Sequence, residues 1–232
     1  MIPLRDINPT ERFPLITLVL IALNVAVFLY ELLMGEMRAE AFIASYALIP
    51  KRLFTHGVPA AGALPVAATL FTSMFLHGGL LHVSGNMLYL WIFGNNVEDA
   101  MGKIRFIVFY LLCGVAAAYA HAFMNSSSRT PMIGASGAIS GVLGAYLLLY
   151  PRARVVTLVM IGFYIRTIEV PAMVVLGLWF GLQFLNALVT SSAGGGVAWY
   201  AHVAGFVSGA ALIGLFKRKT VSFGGGRGSR YV

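Results

Sequence analysis

Along the chain, long apolar runs alternate with shorter polar segments. Six of these runs come close to the roughly 20 apolar residues of helix needed to cross a hydrocarbon core about 30 Å thick. They lie near residues 15–33, 70–93, 104–123, 133–150, 172–189 and 197–216. Lipid offers backbone groups no hydrogen-bond partner, so such runs predict helices packed into one bundle. The expected fold is an all-α membrane protein, a single six-helix transmembrane domain over residues 15–216. A short segment, 1–14, precedes it, with Pro14 in the first turn of the first helix, where a missing N–H does least harm. The first run is longer than a signal-peptide core and ends without a small-residue cleavage pattern. Residues 34–69 are apolar yet too interrupted to span, and read as an interfacial loop on the outer side. Residues 191–196 read as a short flexible link, and 217–232 as a basic, flexible tail.

Composition sharpens this picture. With 59% hydrophobic and only 10% charged residues, the chain lies outside the range of soluble globular domains. A net charge of +8 would suggest nucleic acid in a soluble protein, but its distribution points elsewhere. Alternating the six runs across the membrane puts Arg5, Arg12, Lys103, Arg105, Arg152, Arg154, Arg166, Lys217, Arg218, Lys219, Arg227 and Arg230 on one side. Only Arg38, Lys51, Arg52 and Arg129 fall on the other. The positive-inside rule then makes both termini cytoplasmic. Anionic lipid headgroups account for the basic tail with no nucleic-acid partner. Cys113 is the single cysteine, so no internal disulfide forms.

Polar groups at membrane depth are costly and tend to face a cavity or one another. The second run carries His77, His82, Ser84 and Asn86, with His82 and Asn86 four apart on one helix face. Zinc would need a third strong ligand beside these histidines, and none accompanies them. The fourth run opens with Gly134-Ala135-Ser136-Gly137-Ala138-Ile139-Ser140-Gly141, and the sixth contains Ala201-His202-Val203-Ala204-Gly205-Phe206-Val207-Ser208-Gly209. Ser136 precedes Pro151, and His202 precedes Lys217, by the same fifteen residues. Both therefore stand about 22 Å above the cytoplasmic boundary on helices running the same way, with His82 at about 18 Å when counted from Gly94. The pairs Gly137/Gly141 and Gly205/Gly209 let two helices approach closely, which taken alone is ordinary GxxxG association. With a hydroxyl and an imidazole at one depth, the arrangement suits a serine nucleophile, Ser136, and its general base, His202. Neither helix has a carboxylate to complete a triad. Asn86, His82 and the Ser136 backbone N–H are candidate donors to an oxyanion. Glu98 and Asp99 fall in a polar turn, 94–103, where pairing with Lys103 and Arg105 explains them. The fifth run contains Trp179, Phe180, Gln183 and Asn186, and its aromatics read as core or lipid-facing residues.

These pieces, His82-x-x-x-Asn86, Gly134-x-Ser136-Gly137 and Ala201-His202-x-x-Gly205-x-x-x-Gly209, together resemble the bacterial rhomboid intramembrane serine proteases. The resemblance covers nearly the whole six-helix core. It implies a Ser136–His202 dyad, an oxyanion hole of His82, Asn86 and backbone N–H, and no metal or cofactor. It further implies cleavage of single-pass membrane proteins near the outer face of a bacterial inner membrane. The fifth helix, with Trp179 and Phe180, would act as a substrate gate. Two features depart from the family pattern: no tryptophan occurs between residues 34 and 69, and Ser140 stands where an aromatic often packs on the histidine. A catalytically dead relative would lack the serine or the histidine, and both are present. A transporter or proton channel would place ionisable groups along a path through the membrane, and the inner half of this bundle has none.

Overall fold

The computed structural model describes residues 1–55, 64–189 and 198–225. The link expected at 191–196, part of the loop at 34–69 and the last seven residues of the expected tail lie outside the described residues. The elements run β1 (Ile2–Ile7), α1 (Leu15–Leu33), α2 (Glu36–Tyr46), α3 (Pro50–Phe54), α4 (Val66–Thr72), α5 (Leu80–Tyr89), α6 (Asn95–Met101), α7 (Lys103–Met124), α8 (Ser136–Leu149), β2 (Arg154–Ile161), β3 (Tyr164–Pro171), α9 (Ala172–Val189) and α10 (Trp199–Phe216). A 3₁₀ turn, Ser73–Phe75, follows α4, and a π turn, Leu90–Gly94, joins α5 to α6.

Among the described residues, α1, α7, α9 and α10 are long and apolar enough to cross a membrane. A fifth span exists if the two pieces around 76–79 count as one. α8, with 14 residues, is only about 21 Å long, shorter than a hydrocarbon core. It compensates by position. Every residue from Gly137 to Tyr146 is buried, as expected of a helix apolar all round and enclosed by protein. α7 and α10 both pack on α8 and on each other. The core continues downward through the fully buried rings of Phe93, Tyr146 and Tyr150, which meet edge to face at 5.0 and 5.3 Å.

Three sequence expectations need correction. The second run is not one straight helix over 70–93. The pieces Val66–Phe75 and Leu80–Met101 meet at 84°, because His77-Gly78-Gly79 leaves the helix and Gly79 sits at φ +155, a conformation that favours glycine. Nor is the chain all-α: it is mostly helical, but β1, β2 and β3 form an antiparallel sheet in that order. β2 and β3 pair from Arg154↔Pro171 to Ile161↔Tyr164, closing a two-residue loop. The signal was present, since 155–161 and 164–170 are rich in Val, Ile and Thr around a Gly-Phe step. The sheet is tied to the bundle by Asp6, which accepts a 2.6 Å bond from the Tyr146 hydroxyl, and by the Asn8 carbonyl, which accepts from Asn96 at 2.7 Å. Burial pushes the Asp6 carboxyl up to about 6, against the lowering effect of the Tyr146 bond.

The third correction concerns 94–103. The expected turn is helical to Met101, and Glu98 is buried with its carboxylate at the start of α1. Its Oε1 accepts the Ile16 N–H at 3.0 Å, and its Oε2 accepts both the N–H and the hydroxyl of Thr17 at 2.8 Å. α1 has no capping side chain of its own and no acid in its first turn, so a carboxylate from α6 supplies both the missing acceptor and the charge favoured at a helix N-terminus. Glu98→Ala strands the buried Thr17 amide and the half-buried Ile16 amide, at a cost of about 3 kcal/mol. The expected result is a fall in thermal midpoint of roughly 6–12 °C, measured by tryptophan fluorescence in detergent.

After α10 the chain touches the bundle at a few points, while Lys219, Thr220 and residues 222–225 are exposed. The Arg218 N–H bonds to the Ala100 carbonyl, the Gly224 N–H bonds to the Leu148 carbonyl, and Val221 is buried.

Candidate active site

α8 begins at Ser136 because Gly134, at φ +117, turns the chain sharply into the helix. Only glycine suits that position. Its φ is unfavourable to other residues, and a Cβ there would lie 2.8 Å from His82 Nε2. At the other flank, Gly137, Gly141 and Gly144 meet α10 with almost no space between backbones. A Cβ at Gly205 would strike the Gly137 carbonyl, one at Gly209 the Gly141 carbonyl, and one at Gly144 the Phe206 carbonyl. Gly144 extends the seam one turn beyond the four glycines expected from sequence.

This close approach sets the central contact. His202, buried in α10, has Nε2 2.7 Å from the Ser136 hydroxyl oxygen. Its other ring nitrogen, Nδ1, lies 2.6 Å from Oε1 of Gln183 on α9. An amide oxygen only accepts, so Nδ1 carries the proton and donates it to Gln183. Nε2 is left with a free lone pair facing the Ser136 O–H, the tautomer a base needs. Sequence reasoning passed over Gln183. The available signal was an amide in mid-span, one turn from Trp179 on the same face.

Ser140 does not take the place of the missing aromatic. It is buried, and its hydroxyl donates to the Ser136 carbonyl at 2.6 Å. The His202 ring is flanked by Trp179 of α9, at 5.9 Å and 34°, and by Trp199, edge-on at 6.1 Å. Trp179 also stacks on Phe206 at 6.2 Å, and Phe180 on the same ring at 4.5 Å. The two expected gate residues thus join α9 to α10 beside the histidine.

On the opposite side, α5 brings up His82 and Asn86. The Gly78 N–H points at His82 Nδ1 from 3.4 Å, which leaves the proton on Nε2, beside Gly134. Asn86 donates from Nδ2 to His77 Nε2 at 3.0 Å. His77 is held in turn by α1, its N–H reaching the Glu31 carboxylate at 3.4 Å. A Cβ on Gly134 would stand 3.7 Å from Asn86 Nδ2, so both side chains border the turn that carries Ser136. The first α8 amide with a helical partner is that of Ile139, bonded to the Ala135 carbonyl. The amides before it, Ser136 included, form the open positive end of a helix dipole. Chemically, the site offers a hydroxyl on a neutral imidazole and donors on two sides of the space above it. The His77 and His82 rings lie 5.1 Å apart, and among the described residues no group of three His, Cys, Asp or Glu side chains is placed to hold a metal.

With His202 acting as a base, Gln183→Leu is expected to lower kcat roughly 10- to 100-fold, a part of the 10²–10⁴ that a positioned base supplies, while KM stays near wild type. Gln183→Glu, which keeps an acceptor at the same reach, should recover most of the loss. A merely structural role for Gln183 would move the thermal midpoint and show no such recovery.

Comparison with known proteins identifies the family. The rhomboid domain model matches residues 66–219. Rhomboid protein 1, mitochondrial, of Saccharomyces cerevisiae is 29% identical over 212 residues, which cover 87% of this chain and 53% of the yeast protein. Rhomboid protease GluP of Bacillus subtilis is 31% identical over 208 residues, covering 88% of this chain and 36% of that protein. The chain therefore spans about half of the first relative and about a third of the second. A family model matched over well more than half the sequence, across the segments that bring Ser136, His202, His82 and Asn86 together, shows that this chain belongs to the rhomboid family.

Proposed function

We propose that the protein is an intramembrane serine endopeptidase. The observation that carries the reading is the 2.7 Å approach of His202 Nε2 to the Ser136 hydroxyl, inside a helical bundle and with Nδ1 held by Gln183. In the proposed reaction, Nε2 takes the Ser136 proton as Oγ adds to the peptide carbonyl carbon. The resulting oxyanion is held by the Ser136 N–H, His82 Nε2–H and an Asn86 amide proton, donors of a kind worth roughly 3 kcal/mol each. The imidazolium then protonates the leaving amine, the C–N bond breaks, and an ester on Ser136 remains. Water, deprotonated by the same nitrogen, hydrolyses the ester and restores the hydroxyl.

The bent piece around 76–79 and the short α8 bring the proposed number of spans to six, with residues 15–216 as the catalytic domain. Twelve basic residues against four favour cytoplasmic termini, so 1–14 and 217–232 would be cytoplasmic and 34–69 an outer loop. Ser136, at the start of α8, then opens toward the outer side of a bacterial inner membrane. Substrates would be single-pass membrane proteins carrying helix-weakening residues, since a peptide bond inside regular helix is shielded from attack. The proposed gate is α9, at Trp179 and Phe180.

The test is reconstitution in liposomes with a panel of single-pass model substrates, followed by mass spectrometry of the products. Cuts clustered in the outer third of the substrate helix, together with labelling of Ser136 by a fluorophosphonate, are the expected result. A protein that neither cuts nor labels would overturn the reading.

A further inference from the structure

At the end of the bundle opposite Ser136, the chain entering α1, the corner between α6 and α7, and the segment after α10 enclose a cleft of about 410 Å³. Its lining includes Arg12, Lys103, Arg105 and Arg218, with Glu98 and Asp99 on its floor. The two acids are engaged. Glu98 holds the start of α1, and Asp99 accepts the Glu11 N–H at 2.9 Å and lies 3.9 Å from Arg218. Arg12, Lys103 and Arg105 are exposed, and none has a carboxylate partner among the described residues. Nη2 of Arg218 makes no hydrogen bond. Lys103 and Arg105 also stand in the first turn of α7, against the sign of its dipole, where an acid would be favoured. Beside these cations the rim is apolar and open: Phe13 is 68% and Ile104 80% exposed.

We propose that this cleft binds the headgroup of an anionic phospholipid. The phosphate lies among Arg12, Lys103 and Arg105, and the acyl chains lie along Phe13 and Ile104. The cluster of basic groups beside an apolar lip is complementary to a molecule that carries negative charge and hydrocarbon together, and basic pockets at helix ends recognise such headgroups. An occupant would tie together three segments distant in sequence: the entry to α1, the start of α7 and the residues after α10. This inference does not depend on the proposed reaction.

The experiment uses the full chain in neutral detergent. Native mass spectrometry and thermal unfolding are recorded with phosphatidylglycerol, with phosphatidylcholine of the same chains, and with inorganic phosphate at matched concentration. Wild type should retain one phosphatidylglycerol and gain thermal midpoint from it. The variant Arg12→Gln/Lys103→Gln/Arg105→Gln should bind it roughly 10- to 100-fold more weakly. Arg38→Gln/Arg129→Gln, exposed and expected on the other side, should bind as wild type does. Equal retention of phosphatidylcholine, unchanged binding by the triple variant, or an equal gain from inorganic phosphate would each overturn the proposal. Should the triple variant fail to fold, Lys103→Gln and Arg105→Gln alone carry the comparison, each expected to bind several-fold more weakly.

Discussion

Ser136→Ala is expected to abolish the proposed cleavage of a reconstituted substrate, by a factor of about 10⁴ or more, while the thermal midpoint stays within about 1 °C of wild type. The two halves of this expectation have separate causes. Oγ is the only atom removed, and with it goes the group that forms the ester. The fold does not need that atom, because Ser140 bonds to the Ser136 carbonyl and the α8–α10 seam is made of glycine backbone. His202→Ala is expected to cost as much as Ser136→Ala, and the double variant no more than either, since the proposed nucleophile and base would act as one unit. Neither single variant should be labelled by a fluorophosphonate, as the serine is absent in one and not activated in the other. Residual cleavage within tenfold of wild type in Ser136→Ala would assign the chemistry to another group.

Gly209→Val is the second large effect, and here the fold itself is the target. The added Cβ would enter the Gly141 carbonyl and also crowd the Gly141 Cα. These are backbone atoms of the enclosed helix α8, met from the buried face of α10, so no side chain can turn aside to make room. Overpacking of this kind costs typically 1–3 kcal/mol and sometimes more. Separating α8 from α10 at Gly209 also levers His202 away from Ser136, two turns further along the same seam. Activity should fall at least 100-fold, with a thermal midpoint lower by roughly 5–10 °C. Gly177→Ala and Gly181→Ala on α9 serve as controls. A Cβ at either position meets nothing within 4 Å, so both should retain wild-type stability or gain slightly.

What the sequence made legible was the local and the periodic. The apolar runs locate α7, α9 and α10 to within two residues, and the glycine spacing announces the seam that joins α8 to α10. Ser136 and His202 could be set at one depth by counting residues at a fixed rise, and they meet. What stayed hidden depends on partners far apart in the chain. Glu98 looked like a surface acid beside Lys103 because nothing near residue 98 reveals that the start of α1 lacks an acceptor. Gln183 looked like one polar residue on an apolar helix because its partner is nineteen residues away. The hairpin at 154–171 had strand-forming composition, but its third strand, Ile2–Ile7, comes from the other end of the chain. The break at His77-Gly78-Gly79 was foreshadowed by two adjacent glycines, yet the apolar residues on either side fit a continuous span equally well.

The bond from His202 to Gln183 gives α9 a second purpose beside its proposed one as a gate. α9 is the most exposed of the four long spans, with Ala172, Val175, Leu176 and Ala187 as its buried residues, and it meets α10 through Trp179, Phe180 and Gln183. A lateral swing of α9, wide enough to admit another helix, would withdraw the amide oxygen that keeps the imidazole in register. The open door would then disarm the base, and hydrolysis would wait until α9 had closed over whatever had entered. Residence time in the opening, rather than recognition of sequence alone, would sort what is cut from what diffuses out again.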